Sequence, residues 1–288
     1  MAHIRELLGG GPTLSFEFFP PKSDEAARAL EKTLHELSAV SPAFVSVTYG
    51  AGGTDAHRTR DLVVDFTHNH PFPTMAHLTC MNHRREDLVA LVEDYRANGV
   101  QNILALGGDP PADGSPATGD LRFASELVEL VRAVGDFTVG VAAFPELHPR
   151  SENTAEDRRR LADKLQRADL GITQFFFDPA PYFRMVEELA ALGCTTPVLP
   201  GVMPVTNPAS IRRFAAMNGS RVPPGLFERV EAAAPGDRLA IAVEAASELS
   251  VALLEGGAPG VHLYTLNRSD AALQVAANAG FGAAAPKA

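Results

Sequence analysis

The feature that most constrains the fold of this 288-residue chain is a regular alternation of short apolar segments with longer segments of helical periodicity. The short segments are rich in β-branched and aromatic side chains, which is typical of buried strands. They predict eight strands, over residues 14–18, 44–48, 74–79, 102–106, 138–143, 172–177, 197–200 and 260–265.

A helix is predicted after each strand, because apolar residues then recur every three to four positions. The first begins after Ser23, a plausible N-cap, and places Leu30, Leu34 and Leu37 on one stripe. An extra helical segment over about 223–255 precedes the last strand. The eight helices are predicted near 24–39, 57–68, 84–97, 121–134, 154–168, 180–191, 207–217 and 270–278.

Eightfold alternation with nearly continuous apolar strands is typical of a parallel barrel. An open doubly wound sheet is the alternative, but no GxGxxG motif follows any of the predicted strands. The predicted fold class is therefore α/β, a single (β/α)8 TIM barrel with the extra helical segment before its last strand. No domain boundary is visible, so residues 1–288 are expected to form one catalytic barrel, with 1–12 and 280–288 as flexible tails.

Charge argues against a nucleic-acid partner. The formal net charge is −10, from 25 basic and 35 acidic residues, whereas binding to phosphate backbones needs a basic face. The longest basic run, Arg158-Arg159-Arg160, falls in a predicted helix and is expected to be a solvated face of it. The expected partners are small-molecule substrates.

The remaining composition indicates a cytoplasmic protein without a membrane partner. No apolar run approaches the length of a membrane span, and the first residues lack the apolar core of a signal peptide. The two cysteines, Cys80 and Cys194, have neither metal nor redox spacing, which fits a reducing compartment. No set of His, Asp and Glu has zinc spacing, so no metal is expected.

Chemistry in such barrels is located at the carboxyl ends of the strands. Glu17 lies near the end of the first strand, and side-chain alternation places it opposite Phe16 and Phe18. If these rings pack against helices, Glu17 faces the barrel mouth, where desolvation should raise its pKa and keep it able to donate a proton. The alternative is a buried structural carboxylate paired with Arg or Lys.

Two further strand ends carry polar groups suited to a ligand. Gly107-Gly108-Asp109 follows strand four, where glycines allow close approach to the backbone and the carboxylate suits an amino-pyrimidine edge. The alternative is a plain turn. Gln174 interrupts an apolar strand, and its amide needs partners from either the core or a heteroaromatic ligand.

Several motifs occur in an order that resembles the bacterial methylenetetrahydrofolate reductase family. They span roughly residues 14–270, and jointly they are specific although several are weak alone. The matching segments are 16–21 (FEFFPP), 44–51 (FVSVTYGA), 77–80 (HLTC), 108–109 (GD), 143–149 (AFPELHP), 172–177 (ITQFFF), 200–201 with 204–205 (PG, PV) and 264–268 (YTLNR).

The resemblance implies an FAD-dependent enzyme of one-carbon metabolism and methionine biosynthesis. It implies that a hydride passes from NADH or NADPH through the flavin to 5,10-methylenetetrahydrofolate, giving 5-methyltetrahydrofolate in a ping-pong cycle. By position, Glu17 matches the family's general acid, and Asp109 matches a catalytic carboxylate that also holds the pterin. Gln174 matches a contact to both substrates, Phe214 a ring that packs on them, and Arg268 a substrate-binding arginine.

The resemblance also implies a set of FAD contacts. By position these are Thr48, Tyr49, Ala51, His77, Gly108, Asp109, Ala124, Phe144, His148, Asp157 and Lys164. The chain departs from the family at Gly107, where most relatives have Arg, at Ser210, where they have Gln, and at 167–169, which look one residue short.

Two other functions stay open, and the departure at Gly107 motivates the first of them. One is a folate-dependent barrel enzyme without bound flavin, acting by direct hydride or methyl transfer, and the other is a non-catalytic barrel subunit. The choice between NADH and NADPH, and whether the chain forms a homo-oligomer, stay open.

Overall fold

The computed structural model describes residues 2–49, 56–108 and 118–282. Eight parallel strands form a closed barrel in the order of the chain, with the last strand paired to the first. The predicted (β/α)8 barrel is therefore confirmed. The strands are β1 (Thr13–Phe18), β2 (Phe44–Val47), β3 (Thr74–Thr79), β4 (Asn102–Leu106), β5 (Thr138–Ala143), β6 (Leu170–Phe175), β7 (Val198–Val202) and β8 (Gly260–Tyr264).

A helix follows every strand, close to the predicted bounds. None of the helices in the described ranges combines the length and the apolar character needed to cross a bilayer. The helices are α1 (Asp24–Ser38), α2 (Ala56–Asn69), α3 (Arg85–Ala97), α4 (Ala124–Val134), α5 (Thr154–Leu165), α6 (Pro179–Ala191), α7 (Pro208–Asn218), α8 (Pro224–Ala232), α9 (Arg238–Glu255) and α10 (Asp270–Asn278).

Local sequence explains where the helices begin. The Ser23 side chain accepts a hydrogen bond from the Ala26 amide and caps α1, as expected. Asp178 caps α6 in the same way, and Pro179 then occupies a first-turn position where its missing amide costs nothing. Each cap fixes the point at which the chain leaves the strand end and turns back along the barrel.

The predicted extra helical segment before the last strand is two helices, α8 and α9. Helix α9 contacts β7, β8 and α10, so it fills the position of a barrel helix, while α8 packs against α7 and α9. Three helices therefore separate β7 from β8. Helix α7 carries Phe214 and lies beside the carboxyl end of the barrel, where it lines the same pocket as Glu17.

Side-chain alternation divides the core into an outer and an inner layer. The outer layer lies between strands and helices and includes Phe16, Phe18 and Leu34. The inner layer fills the lower half of the barrel with large apolar side chains. Its buried members are Ile4, Phe44, Met75, Leu104, Leu170, Ile172 and Leu199.

The amino-terminal residues correct the expectation that 1–12 form a flexible tail. Residues Ile4–Glu6 form a 3₁₀ helix, and Ile4 is fully buried in the inner layer. The Ile4 amide donates to the Asn102 side-chain oxygen at 2.8 Å, and Arg5 bonds the Phe137 carbonyl and the Asp136 carboxylate. This segment seals the lower end of the barrel, where inward-facing side chains would otherwise meet water.

We expect Ile4→Ala to lower the free energy of unfolding by about 2–5 kcal/mol, because it leaves a cavity among packed apolar side chains. Leu192→Ala, at a side chain 41% exposed, serves as the control and should change it by less than about 1 kcal/mol. Urea unfolding followed by circular dichroism measures both. Equal, small effects would mean that the segment does not pack as described.

Candidate functional site

The carboxyl ends of β1 and β8 are fastened together by hydrogen bonds. The Thr265 hydroxyl donates to the Glu17 carbonyl at 2.7 Å. The Asn267 side chain accepts from the Phe19 amide at 3.0 Å and donates to the Phe19 carbonyl at 2.8 Å. Leu266 and Asn267 reach this geometry with left-handed backbone angles, φ 51° and 58°. The clamp fixes the height of Glu17 in the barrel mouth.

Glu17 faces the barrel interior, as alternation predicts, and its side chain is 16% exposed. One carboxylate oxygen, Oε2, lies 3.5 Å from His77 Nε2 on β3 and 3.6 Å from His262 Nε2 on β8. Within the described residues no Arg or Lys forms an ion pair with it. The charged side-chain partners expected of a purely structural carboxylate are therefore missing from these ranges, and Glu17 stands between two imidazoles.

His77 is held as a neutral ring. Burial lowers its pKa from 6.5 to about 4, against the smaller opposing effect of the Glu17 carboxylate. Its Nε2 is buried and has no hydrogen-bond partner among the described residues. A buried polar atom without a partner is costly, and here it lies beside the carboxylate in the barrel mouth.

His262 is a site residue that the sequence reasoning missed. Its ring is fully buried inside the barrel, 2.8 Å from the Ser15 hydroxyl through Nδ1 and stacked on Phe44. The signal that could have found it was alternation along β8, which places His262 and Tyr264 on the inward face below the predicted site. A polar ring in an otherwise apolar strand was the clue.

The predicted strand over 172–177 begins earlier and ends at Phe175, because β6 is irregular. Its register against β7 shifts between Ile172 and Phe175, and the Thr173 hydroxyl accepts from the Gly201 amide at 2.8 Å. The Tyr264 hydroxyl crosses the barrel to donate to the Thr173 carbonyl at 2.7 Å. Gln174 lies within this irregular stretch, and its side chain lines the carboxyl end of the barrel.

A pocket of about 310 Å³ opens in the barrel mouth and gathers four of the predicted site residues. They are Glu17, Thr48, Gln174 and Phe214. A second pocket of about 490 Å³ shares Phe214 with it and extends outward to Ser210 and Arg268. The Arg268 side chain is 70% exposed and pairs with Asp270 at 2.9 Å. The structure thus places Arg268 in this neighbouring pocket, away from Glu17.

Arg158 is not part of a solvated helix face, contrary to expectation. It is 4% exposed, and its guanidinium bonds the carbonyls of Phe144, Pro145 and Glu146. It also pairs with Asp157, whose carboxylate accepts from the Ser151 hydroxyl. A guanidinium has five N–H donors, enough to bond several carbonyls of the loop after β5. One arginine of a basic run on a helix can therefore be buried.

Other predicted cofactor residues lie around the ends of β4 and β5. The Lys164 amine donates to the Ala142 carbonyl, and burial lowers its pKa from 10.5 to about 8, partly opposed by Asp157. The rings of Phe144 and His148 pack edge to face, with centroids 4.5 Å apart. Arg150 donates to the Gly108 carbonyl at 2.9 Å.

The last members of the predicted cofactor set are more widely spread. Tyr49 is buried, with its hydroxyl 3.2 Å from His83 Nε2, and Ala124 begins α4. Ala51 and Asp109 lie outside the described residues, so their predicted roles stay predictions.

Comparison with known proteins identifies relatives along nearly the whole chain. The model of the family described as methylenetetrahydrofolate reductase matches residues 3–280. The 5,10-methylenetetrahydrofolate reductases of Pectobacterium carotovorum and Escherichia coli K12 are each 35% identical, covering 91% of this chain and 88% of theirs. The Arabidopsis thaliana protein named methylenetetrahydrofolate reductase (NADH) 1 is 33% identical over 94% of this chain, which spans 49% of it.

A solved structure supports the fold independently of close sequence similarity. An uncharacterized protein from Clostridium thermocellum, described as binding two copies of 5-methyl-5,6,7,8-tetrahydrofolic acid, superposes with a TM-score of 0.62 at 14% identity. The match covers 93% of this chain and 94% of that one. At this identity the likeness supports the barrel fold alone.

We expect Gly201→Ala to lower the free energy of unfolding by about 1–3 kcal/mol and to displace the neighbouring Thr173 and Tyr264, because overpacking is costly. An added Cβ would lie 2.5 Å from both the Thr173 carbonyl and the Tyr264 ring. Gly236→Ala, where the added atom meets nothing within 4 Å, is the matched control. Urea unfolding measures the stability of both variants. If Gly201→Ala is as stable as Gly236→Ala, the Tyr264 ring and the Thr173 carbonyl do not pack as closely on Gly201 as described.

We expect Lys164→Met to change how stability depends on pH. Because the folded pKa of about 8 lies below the ordinary 10.5, unfolding takes up a proton between these values, and wild-type stability should rise with pH across that window. Across this window the free energy of unfolding of the wild type should rise by about 1–2 kcal/mol relative to that of the variant. This is less than the full pKa shift implies, because Lys164 is partly exposed and solvent screens its charge.

Lys32→Met, on α1 at a side chain 78% exposed, is the control for this experiment. Urea unfolding at several pH values measures the difference from wild type, in which titrations common to both proteins cancel. A flat difference for Lys164→Met would show that the pKa of Lys164 is not lowered in the folded protein.

Proposed function

Because the chain belongs to the methylenetetrahydrofolate reductase family, we propose that it reduces 5,10-methylenetetrahydrofolate to 5-methyltetrahydrofolate with bound FAD and a nicotinamide dinucleotide as electron donor. NADH is the donor to test first, since the names of the plant relatives specify it. In this proposal the nicotinamide and the folate use the same cleft in turn, a ping-pong cycle.

The observation that carries the proposal is the position of Glu17. A carboxyl group that is largely buried, faces a pocket and is flanked by imidazoles rather than by cations is suited to hold and release a proton. The hydrogen-bond clamp from Thr265 and Asn267 keeps it at one height. A fixed donor at the wall of a cleft can act on a substrate nitrogen without first being reorganised.

The residues of the mouth fit a flavin ring system. His77 Nε2 is a buried atom that lacks a partner among the described residues, and a polar edge of a heteroaromatic ring would supply one. At Gly108, φ is +91° and a Cβ would lie 3.0 Å from Met81, so only glycine presents its backbone there. When bound, the flavin would accept a hydride from the nicotinamide and pass it on. The other residues proposed to hold it are Thr48, Tyr49, Ala51, Asp109, Ala124 and Phe144.

The charged end of the cofactor would meet basic groups near the ends of β4 and β5. Gly107 removes the arginine that most relatives carry, but the guanidinium of Arg150 lies at the adjacent Gly108 carbonyl. His148 belongs to the same loop, and the Lys164 amine lies at the end of β5. Asp157 acts on this region through Arg158, which fixes the loop. These groups support flavin binding despite the departure at Gly107.

The cleft also suits the folate. Gln174 offers amide donors and an acceptor to the heterocycle that enters the mouth, and Phe214 offers a ring face between the two pockets. Arg268 lies in the neighbouring pocket, where a carboxylate tail of the substrate would emerge. Glu17 would protonate the substrate nitrogen whose bond to the one-carbon unit opens, and Asp109 would hold the pterin.

We expect Glu17→Gln to slow folate reduction by about 10²–10⁴-fold, because folate reduction needs a proton donor. Flavin reduction by NADH needs none and should stay near the wild-type rate. Stopped-flow absorbance of the flavin separates the two half-reactions. Glu248→Gln, at an exposed position of α9, should leave both unchanged.

Two results would contradict the proposal in different ways. Equal loss of both half-reactions in Glu17→Gln would show that Glu17 is not the proton donor. A folded wild-type protein that stays colourless after incubation with FAD would overturn flavin dependence itself.

A further inference from the structure

The side of the barrel mouth that α7 forms has little packing of its own. Of the eleven α7 residues that the structure describes, two are buried, Ile211 and Ala215. Phe214 is half-buried and Met217 is 69% exposed, although both line the pocket that contains Glu17. A short helix that buries so few side chains depends on other contacts to keep one position.

The carboxyl-terminal end of α7 is held by hydrogen bonds to the ends of neighbouring elements. Gly219 ends the helix in the left-handed region, at φ 72°. The Ser220 hydroxyl then donates to the Phe175 carbonyl at the end of β6, at 2.9 Å. The Arg221 amide donates to Glu146 Oε2 at 2.8 Å. The end of α7 is thus bonded both to β6 and to the chain that follows β5.

Glu146 lies in the loop after β5, residues 144–153, and the function proposed above gives it no task. Its backbone is fixed by a buried cation. The Arg158 guanidinium donates to the Glu146 carbonyl at 2.9 Å and to the Pro145 carbonyl at 2.7 Å. Because its own backbone is held in this way, the Glu146 side chain can keep a second segment in place.

The carboxylate of Glu146 is partly shielded from water. Burial raises the pKa of this carboxyl group, and the hydrogen bond from the Arg221 amide opposes that rise. A hydrogen bond to a carboxylate is stronger where water competes less for it. The two segments also approach each other at a second point, since a Cβ added to Gly219 would lie 3.3 Å from Pro149 Cγ.

The loop after β5 also carries Phe144 and His148, which the proposed function assigns to the flavin. One loop therefore meets both the cofactor and the helix that bears Phe214. We propose that Glu146 is a positioning residue that links this loop to α7 and so holds Phe214 where it packs on the nicotinamide and on the folate. It acts through the Arg221 amide rather than on either substrate. This role rests on the function proposed above and deepens it.

Four variants of the flavin-loaded protein separate this role from a general effect of charge. Glu146→Ala removes the acceptor, whereas Glu146→Gln keeps an oxygen that can accept from the same amide. Arg221→Ala keeps the amide donor and removes only the side chain. Glu152→Ala removes a carboxylate from an exposed position of the same loop and is the matched control.

Hydrogen–deuterium exchange followed by mass spectrometry measures how firmly α7 is held, without any turnover. For Glu146→Ala we expect the amides of residues 208–221 to exchange about tenfold faster than in the wild type, because a bond to a charged group is lost. The amides of α1, on another side of the barrel, should not change. Glu146→Gln, Arg221→Ala and Glu152→Ala should exchange like the wild type.

Steady-state kinetics measures what this position does for the substrates. For Glu146→Ala we expect KM for NADH and for methylenetetrahydrofolate to rise together by about three- to tenfold, with kcat changed by less than about twofold. Both should rise because both ligands are proposed to pack on Phe214. The amount of bound flavin should stay unchanged, because Arg158 still fixes the loop.

The possible failures are distinguishable. Unchanged exchange of residues 208–221 in Glu146→Ala, or equally faster exchange of α1, would overturn the link between the loop and α7. Faster exchange of residues 208–221 with both KM values unchanged would overturn the positioning role. Each of these results leaves the proposed function standing. A folded, flavin-loaded wild type that does not reduce methylenetetrahydrofolate would overturn the proposed function, and the role of Glu146 with it.

Discussion

The closure of β1 onto β8 is the constraint on which the candidate site depends. These strands come from opposite ends of the chain, yet Glu17 and His262 belong to them and lie within 3.6 Å of each other. The backbone ladder brings the strands together, and the Asn267 clamp then fixes their upper ends. Parallel closure also points both strands the same way, so their polar residues meet at one mouth.

Inside that mouth, burial rather than charge pairing sets the chemistry. Large apolar side chains fill the lower barrel and remove water from beneath Glu17. The same burial keeps His77 neutral and Tyr264 protonated. Neutral neighbours neither trap a proton nor repel one, which leaves the carboxyl group free to exchange it with a ligand. The apolar floor of the barrel is thus part of the functional site.

Sequence periodicity predicted the barrel, its extra helical segment and the inward face of Glu17, because each depends on local alternation. Features that depend on contacts between distant segments were not predictable in this way. Arg158 lies within a basic run, and only the path of the loop after β5 turns it inward. The irregularity that positions Gln174 depends on Tyr264, which is 90 residues away in sequence. His262 carried a local signal in the alternation along β8, but its closeness to Glu17 depends on the pairing of β8 with β1.

The buried amino-terminal segment has a consequence for how the chain assembles. Ile4 bonds to Asn102, and Arg5 to Phe137, so residues made before β1 wait for partners made about a hundred residues later. Until residues 102 and 137 are in place at β4 and β5, the segment lacks these hydrogen-bond partners. The lower end of the barrel is therefore closed late, by a segment that is made before any of the strands, and a half-made barrel leaves its apolar interior exposed.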